Sequence, residues 1–368
     1  MTDFKHKFKA FYGIVRPSLI AIGIGLLVGL VILFIFEPTQ AFPAMLTLLM
    51  GGFNGGLRGI GDMLYYATPI ILTGLAVAFA FKTGLFNIGA SGQMMLGAYT
   101  AIHVGVLWDL PAPFHWIAAI IMGTIAGGLW ALIPGLLKVI SNVNEVVASI
   151  MMNYVAGHLV ILLIKNNVFN VLQARSLNVK PSAQLPLLDM IFTGSSVNIG
   201  IIIAILVAIG THILIHRTTL GFSLRASGFS MDGSTYAGMN TRANVVIAMT
   251  YSGMLAGLAG GLAYLVIGKT MPTAFGIFAE GFDGISVALL GLGEPIGALF
   301  AGLFLSHLRS GGFYMQLYDF VPEIIDIIIA VIIYVTAISA AIQLFFDHRR
   351  KAKSEKKDMK ASTEGAES

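Results

Sequence analysis

The sequence contains no cysteine and few charged residues. The absence of cysteine excludes disulfide bonds and thiolate metal sites, and it leaves the redox compartment unspecified. Charged residues make up 11% of the chain, well under the ~25% usual in soluble domains, whereas apolar residues make up 57%. This balance predicts an all-α integral membrane protein that sits in a lipid bilayer.

Patterns typical of enzymes and of nucleic-acid-binding proteins are also missing from the sequence. We find no paired catalytic carboxylates, no metal-ligand cluster and no nucleophile elbow, so we expect no catalytic residue, no metal site and no cofactor in this chain. The segment 263–270 ends like a phosphate-binding loop, but it lacks the first glycine and follows an apolar run. The basic residues behind the net charge of +4 are spread over loops, which argues against nucleic acid as a partner.

Long apolar runs predict about ten membrane-spanning helices. The first, 18–36, would span roughly 28 Å as a helix, close to the thickness of a hydrocarbon core, and we interpret it as an uncleaved span. We expect 37–62 to be a Gly-rich external segment with a short interfacial helix. The predicted spans are 18–36, 63–82, 88–107, 114–138, 144–164, 198–215, 243–268, 277–291, 294–310 and 321–346.

The distribution of lysine and arginine predicts the orientation of these spans. With the N-terminus in the cytosol, sixteen of the twenty-two basic residues fall on inner segments, as cytoplasmic loops require. Both termini are therefore predicted to be cytoplasmic. The resulting organisation is a cytoplasmic N-terminus (1–17), a first transmembrane half (18–215), a cytoplasmic loop (216–242), a second transmembrane half (243–346) and a disordered tail (347–368).

The loop 216–242 is a long polar interruption between the two apolar halves. Its glycines divide it into short pieces, a spacing that suits two short helices at an angle. A compact cytoplasmic loop of this kind suits the docking of a partner, although a simple solvated connection has the same composition. Gly233 follows Asp232 and would shorten the second helix, because glycine costs about 1 kcal/mol relative to alanine inside a helix.

Two further segments, 82–93 and 269–284, are too rich in glycine and polar residues to be continuous helix. They occupy the same place in each predicted half, and five spans per half would make the halves inverted in the membrane. Inverted repeats with broken helices commonly hold a substrate site near the midplane. The sequence therefore predicts a translocation site at these breaks.

Four ordered motifs then identify a family. They are Phe86–Met94, Asn144–Tyr154, the loop end at 236–238 and Gly281–Gly291. Together they resemble the permease subunits of bacterial ATP-binding-cassette importers, in the branch for nucleosides and simple sugars, over roughly residues 60–345. The nearest type is the longer permease of a purine-nucleoside importer.

That resemblance implies a multi-pass protein of the bacterial cell membrane and a set of partners. The partners are a second homologous permease that completes a heterodimer, a cytoplasmic ATPase that binds the ATP, and an extracellular substrate-binding lipoprotein. The loop 216–242 would then dock the ATPase. The docking residues we expect are Arg225, Gly228, Asp232, Tyr236 and Gly238.

Candidate residues for the substrate path lie at the two breaks and on the fifth span. Amide and carboxylate groups would hydrogen-bond a sugar or base, and phenylalanine rings would stack on a base. The candidates are Phe86, Asn87, Gln93, Asn153, Phe282 and Asp283. Glu145 shares a helix face with Asn153 and could line the path, but we favour a capping pair with Asn142.

An ion-coupled secondary transporter of a small polar solute is the alternative function, since it would also use inverted repeats and broken helices. It requires an intramembrane ion site, for which Asp326 is the best candidate. His103 and His158 have no carboxylate three or four residues away, so we interpret both as satisfied structural side chains. The repeated Gly-x-x-x-Gly motifs are interpreted as helix packing surfaces.

Overall fold

The computed structural model describes residue 20 and residues 22–321 and 323–335. The predictions for the N-terminus (1–17) and for the tail (347–368) therefore lie outside the described residues. Contacts between residues divide the chain into two units. One unit is Leu46–Met315, and the other combines the segments before residue 46 and after residue 315.

Helices dominate the described part of the chain, with one short β-hairpin. We number the helices α1 (Ile22–Phe36), α2 (Ala41–Met50), α3 (Gly56–Lys82), α4 (Ala90–Leu107), α5 (Phe114–Ser141), α6 (Glu145–Asn167), α7 (Gly200–Arg217), α8 (Thr219–Phe229), α9 (Met231–Tyr236), α10 (Thr241–Tyr264), α11 (Ala279–Leu290), α12 (Pro295–Met315) and α13 (323–335). The hairpin pairs β1 (Phe169–Asn170) antiparallel to β2 (Arg175–Ser176). Short 3-10 helices occupy Gly51–Gly55, Pro181–Ala183 and Gln316–Tyr318.

This architecture confirms an all-α membrane protein, whereas the count of ten spans stays a prediction. Among the described residues, five helical segments are long and apolar enough to cross a membrane: Ala41–Lys82, α5, α6, α7 and α10. Helix α11 has 12 residues and would extend roughly 18 Å, too short to cross a hydrocarbon core alone. The orientation of the termini also stays a prediction.

The segment 37–62 contains more helix than the one short helix predicted there. Helix α2, a 3-10 turn and the first turns of α3 follow one another, so α3 begins at Gly56 instead of residue 63. Glycines in this stretch allow close approach, since a methyl group on Gly59 would lie 2.4 Å from the Gly52 carbonyl oxygen. They act as packing residues here rather than as helix breakers.

Helices α3 and α10 form the interior of the larger unit. In their most apolar stretches, 83% of the residues of Ala41–Lys82 and 72% of those of α10 are buried, against 33% for α5, 39% for α6 and 33% for α7. Helices α4, α5 and α3 all pack against α10. The outward apolar faces of α5, α6 and α7 are thus available to lipid or to another subunit.

Glycine allows α4, α5 and α10 to approach one another at backbone distance. A methyl group on Gly97 of α4 would lie 2.4 Å from the Gly257 Cα of α10, and one on Gly127 of α5 would lie 2.5 Å from the same atom. These contacts confirm that the Gly-x-x-x-Gly motifs serve helix packing.

In the smaller unit, α1 packs against α13 through its glycines. Gly25 lies against Ile332 and Gly29 lies against Ile328, one turn earlier on α13. Asp326 is exposed on α13. An exposed carboxylate gives no support to an ion site enclosed within the membrane.

Candidate functional site

The first break, residues 83–89, separates α3 from α4 and is organised by Asn87. The Asn87 Oδ1 accepts hydrogen bonds from the backbone N–H of Gly89 and from Gln93 Nε2, both at 3.0 Å. Its Nδ2 donates to Gln93 Oε1 and to Ser252 Oγ of α10, both at 2.8 Å. Asn87 therefore holds the irregular backbone to the start of α4 and to α10.

Asn153 of α6 supports the same break from the other side. Its Oδ1 accepts from the backbone N–H of Gly92 at 2.8 Å, and its Nδ2 donates to the Ile88 carbonyl at 2.9 Å. The N–H groups in the first turn of a helix have no partner within the helix. Asn153 provides that partner for the Gly92 N–H of α4. This bond ties α6 to the α4 start.

The three amide residues predicted to line the substrate path are buried and bonded within the protein. Asn87, Gln93 and Asn153 are 0%, 1% and 1% exposed, and their amide groups bond to protein atoms. Direct contact with a substrate stays a prediction for a state in which those bonds open. Phe86 beside them is half-buried, with its ring centroid 5.0 Å from that of Phe81.

The second break, residues 265–278, is shorter than predicted. Helix α11 begins at Ala279, so Phe282 and Asp283 lie in its first turns instead of in the break. The expectation that the break continues to Gly284 was wrong, because Gly281 and Gly284 serve close packing. A methyl group on Gly284 would lie 2.6 Å from the Thr73 carbonyl carbon.

The structure brings the starts of α4 and α11 together. A methyl group on Gly281 would lie 2.4 Å from the Ser91 Cα, and Ser91 Oγ donates a hydrogen bond to the Phe278 carbonyl. Thr73, near the middle of α3, donates to the Glu280 carbonyl at 2.7 Å. The two helix starts that follow the breaks thus share one junction against α3, and we call it the break junction.

Two of the predicted path residues lie on α11 at this junction. Phe282 has an exposed ring, and Asp283 carries a charge. Phe282 is 42% exposed. Asp283 forms an ion pair with Arg309 of α12, with Arg309 Nη2 2.7 Å from Asp283 Oδ1 and side chains 13% and 33% exposed. Arg309 lies 26 positions after Asp283, so the pairing is not visible in the local sequence pattern.

Aromatic side chains that the sequence analysis did not select flank the second break. The rings of Tyr264 and Phe278 stack with centroids 5.4 Å apart and an interplanar angle of 11°. Tyr65 donates to the Ala263 carbonyl at 3.0 Å, and Lys269 Nζ lies 5.8 Å from the Tyr65 ring centroid. Stacked rings next to polar groups can bind a planar base as well as an apolar side chain.

The two histidines interpreted from the sequence as structural side chains both contact aromatic residues. His103 Nδ1 lies 3.1 Å from the hydroxyl of Tyr99 on its own helix, and His158 stacks on Phe275 with centroids 4.6 Å apart. These contacts agree with structural roles for both histidines. Their partners are an aromatic hydroxyl and an aromatic ring.

The capping role favoured for Glu145 was wrong. The cap of α6 is Asn144, whose Oδ1 accepts from the backbone N–H groups of the next turn, while Asn142 ends α5 in the left-handed conformation at φ 50°. Glu145 is the first residue of α6 and accepts a hydrogen bond from Lys138 Nζ at 2.6 Å. It therefore forms an ion pair between two helix ends and does not cap a helix.

The loop 216–242 contains two short helices, as predicted. Because the family resemblance predicts that an ATPase docks on this loop, we call α8 and α9 the docking helices. Ser230 Oγ caps α9 by accepting from the Gly233 N–H at 3.0 Å, and α9 has only 6 residues. Phe229 and Tyr236 are 93% and 94% exposed, which is unusual for large aromatic side chains.

The other predicted docking residues differ in exposure. Asp232 and Gly238 are exposed, and Gly238 adopts a φ of 82°, which favours glycine. Arg225 is half-buried. The polar surface available to a partner thus lies mainly on α9 and the turn after it.

Gly228 connects the docking helices to the first break. A methyl group on Gly228 would lie 2.8 Å from both Gly84 N and the Thr83 carbonyl carbon. This backbone contact faces into the protein, so Gly228 is a link to the break rather than part of an exposed docking surface. Any shift of α8 acts directly on the segment that Asn87 organises.

Known transport proteins resemble the chain over most of its length. The family model of the branched-chain amino acid transport system permease component matches residues 59–337. The guanosine ABC transporter permease protein NupP of Bacillus subtilis is 40% identical over 338 residues, which covers 90% of this chain and 96% of that protein. The nucleoside ABC transporter permease protein NupB of Lactococcus lactis is 32% identical, with 92% and 95% covered.

A third relative is the guanosine ABC transporter permease protein NupQ of Bacillus subtilis, which is 26% identical over 76% of this chain and 90% of that protein. No solved structure matches the chain. The family consists of membrane-embedded transport subunits rather than enzymes, which agrees with the several apolar helices long enough to cross a membrane. The chain is a multi-pass membrane protein that belongs to the permease component family of branched-chain amino acid transport systems.

Proposed function

We propose that the chain is a transmembrane permease subunit of an ATP-driven importer for nucleosides, with purine nucleosides as the preferred substrates. The observation that carries this proposal is the 40% identity to a guanosine permease, which extends over nearly the whole of both chains. The family assignment also favours an ATP-driven importer over an ion-coupled transporter. Simple sugars are the competing substrates.

The substrate path runs past the break junction in this proposal. Phe282 offers an exposed ring for base stacking, and the Asp283–Arg309 pair offers hydrogen-bonding groups to ribose hydroxyls or base edges. The Tyr264–Phe278 stack extends the aromatic surface. Together these groups match the two halves of a nucleoside, a planar base and a polar sugar.

The buried amides have a different role in the same proposal. Asn87, Gln93 and Asn153 hold the α4 start in position and reach the substrate only when their internal hydrogen bonds open. Breaking the Asn87 bonds exposes a helix start whose N–H groups attract polar substrate atoms. The first break would thus act as a movable wall of the path.

Three partners complete the transporter in this proposal. An ATPase binds ATP and docks on α8 and α9, where the exposed aromatic residues Phe229 and Tyr236 provide contact surface. A second, related permease packs against the outward helices, in line with the presence of two guanosine permeases, NupP and NupQ, in one organism. An extracellular lipoprotein delivers the substrate.

A competition assay in proteoliposomes tests the function. The complete transporter is reconstituted with ATP inside or outside, and uptake of radiolabelled guanosine is measured against unlabelled guanosine, adenosine, uridine, ribose and glucose. We expect uptake only when ATP reaches the ATPase, with strong competition by purine nucleosides and none by glucose. Competition by glucose or ribose alone would assign the chain to sugars, and ATP-independent uptake driven by an ion gradient would contradict the proposal.

A further inference from the structure

A cluster of ionisable side chains lies where α3 and α7 end and α12 begins. Lys82 is the last residue of α3, His212 and His216 lie in the last two turns of α7, and Glu294 precedes α12. His216 Nε2 is 2.9 Å from Glu294 Oε2, while Lys82 Nζ donates to Glu294 Oε1. The cluster is half-buried, so it is shielded from bulk water yet open to small ions.

The two histidines present their rings on one face of α7. They are four residues apart, a spacing that aligns side chains along a helix, and their ring centroids are 4.6 Å apart. One possible ligand atom from each of His212, His216 and Glu294 lies within 4.8 Å of the other two. Within the described part of the chain, the shielded His212 Nδ1 has no hydrogen-bond partner. A shielded nitrogen without a partner is suited to a cation.

The set of donor atoms selects the class of ion. Two imidazole nitrogens and one carboxylate oxygen are typical ligands of zinc and of other divalent first-row transition metals. Calcium and magnesium prefer all-oxygen sites with six or more ligands. Zinc–ligand bonds of about 2.1 Å place tetrahedral ligand atoms roughly 3.4 Å apart. The three candidate atoms already lie within 4.8 Å of one another.

The two oxygen atoms of the Glu294 carboxylate face different neighbours. Lys82 uses only Oε1 and leaves Oε2 turned toward the histidines. A side chain that orients a metal-binding carboxylate in this way is a common feature around metal sites.

We propose that His212, His216 and Glu294 form a binding site for a divalent transition metal ion of the zinc type, with Lys82 positioning the carboxylate. Helix α8 begins at Thr219, three residues after His216, so the bound ion joins the base of the docking helices to the loop before α12. An ion at this place restrains α7 relative to α12. Metal binding would therefore slow the movement that couples the docking helices to the path.

Zinc content of the purified transporter tests the site. The complete assembly, without a polyhistidine tag, is stripped with a chelator, dialysed against Zn²⁺ and analysed by mass spectrometry of the metal. We compare wild type with His212→Gln, which removes a ligand without removing any described hydrogen bond. His103→Gln is the matched control, because His103 is another half-buried histidine of the same chain.

We expect wild type and His103→Gln to bind one more zinc per transporter than His212→Gln. Co²⁺ should give visible absorption bands in wild type that His212→Gln lacks. Equal zinc content in wild type and His212→Gln would overturn the site. If His212→Gln does not assemble, Glu294→Gln replaces it, because the amide keeps the shape but is a poor metal ligand, and the same loss of one zinc is required.

A second readout addresses the regulatory role. Substrate-stimulated ATP hydrolysis is measured at increasing Zn²⁺, with Mg²⁺ held constant. Zinc should slow hydrolysis in wild type and in His103→Gln at concentrations that leave His212→Gln unaffected. Equal sensitivity of wild type and His212→Gln would overturn regulation at this site, since inhibition would then act elsewhere.

Discussion

Replacing Gly228 by alanine adds one methyl group where α8 meets the first break. That methyl group would lie 2.8 Å from Gly84 N and 3.0 Å from the Lys82 carbonyl oxygen, whereas ordinary contact begins at 3.4 Å. The neighbours are backbone atoms and cannot rotate away. The helix or the break must therefore move by 3.4 minus 2.8, or 0.6 Å, at this contact.

Two opposing effects set the size of the change. Overpacking of this kind costs about 1–3 kcal/mol, while exchanging glycine for alanine in a helix gains up to about 1 kcal/mol. We expect a net loss of roughly 0–2 kcal/mol, confined to the contact between α8 and the break. A loss of this size leaves the protein folded but shifts the docking helices relative to the path.

The assay compares coupling rather than abundance. In proteoliposomes that contain the complete transporter, Gly228→Ala should lower the amount of nucleoside imported per ATP hydrolysed, at unchanged membrane abundance. Gly210→Ala in α7 is the control, because a methyl group there meets nothing within 4 Å. If Gly228→Ala couples transport to ATP hydrolysis as well as Gly210→Ala does, the contact does not transmit movement and our reasoning is wrong.

Two further predictions concern the break junction. Asn87→Ala leaves the Gln93 amide and the Gly89 N–H without their partner, and each orphaned buried group costs about 1–3 kcal/mol. The melting temperature and abundance should therefore fall together with uptake. Uptake that falls at normal abundance would instead favour direct substrate contact. Asp283→Asn leaves the Arg309 guanidinium without its carboxylate partner. It should impair uptake more than the double change Asp283→Asn with Arg309→Gln, which removes both charges. Additive effects of the two substitutions on uptake would show that the pair acts as two independent groups.

Local sequence patterns predicted the helical membrane fold, the presence of the first break and the two short helices of the loop 216–242. Each depends on residues close together in the chain, such as Ser230 capping the helix that begins at Met231. The first break was predicted too long, because residues 90–93 already belong to α4. The second break was predicted too long because glycine is common in loops, and Gly281 and Gly284 were therefore assigned to the break. In this fold they allow α11 to contact Ser91 and Thr73, and such tertiary contacts are invisible in a local pattern.

The detailed site depends on residues that are distant in sequence. The Asn87 amide bonds to Ser252, 165 positions later, so its burial could not be read from the polar character of the break. The four-residue spacing of His212 and His216 was visible, but Glu294 lies 78 residues beyond His216. Sequence spacing alone therefore gave no metal-ligand cluster.

Accessibility of the break junction is the most direct test of the proposed path. The chain has no cysteine, so Phe282→Cys and Asn87→Cys each introduce a single thiol, at positions where the native residues are 42% and 0% exposed. We expect a small polar thiol reagent to label Phe282→Cys at a rate that changes when substrate or ATP is added. Asn87→Cys should react only in states that open the first break. If Phe282→Cys stays unlabelled in every state, or reacts at a rate that ignores both ligands while transport remains normal, the path does not run past this junction.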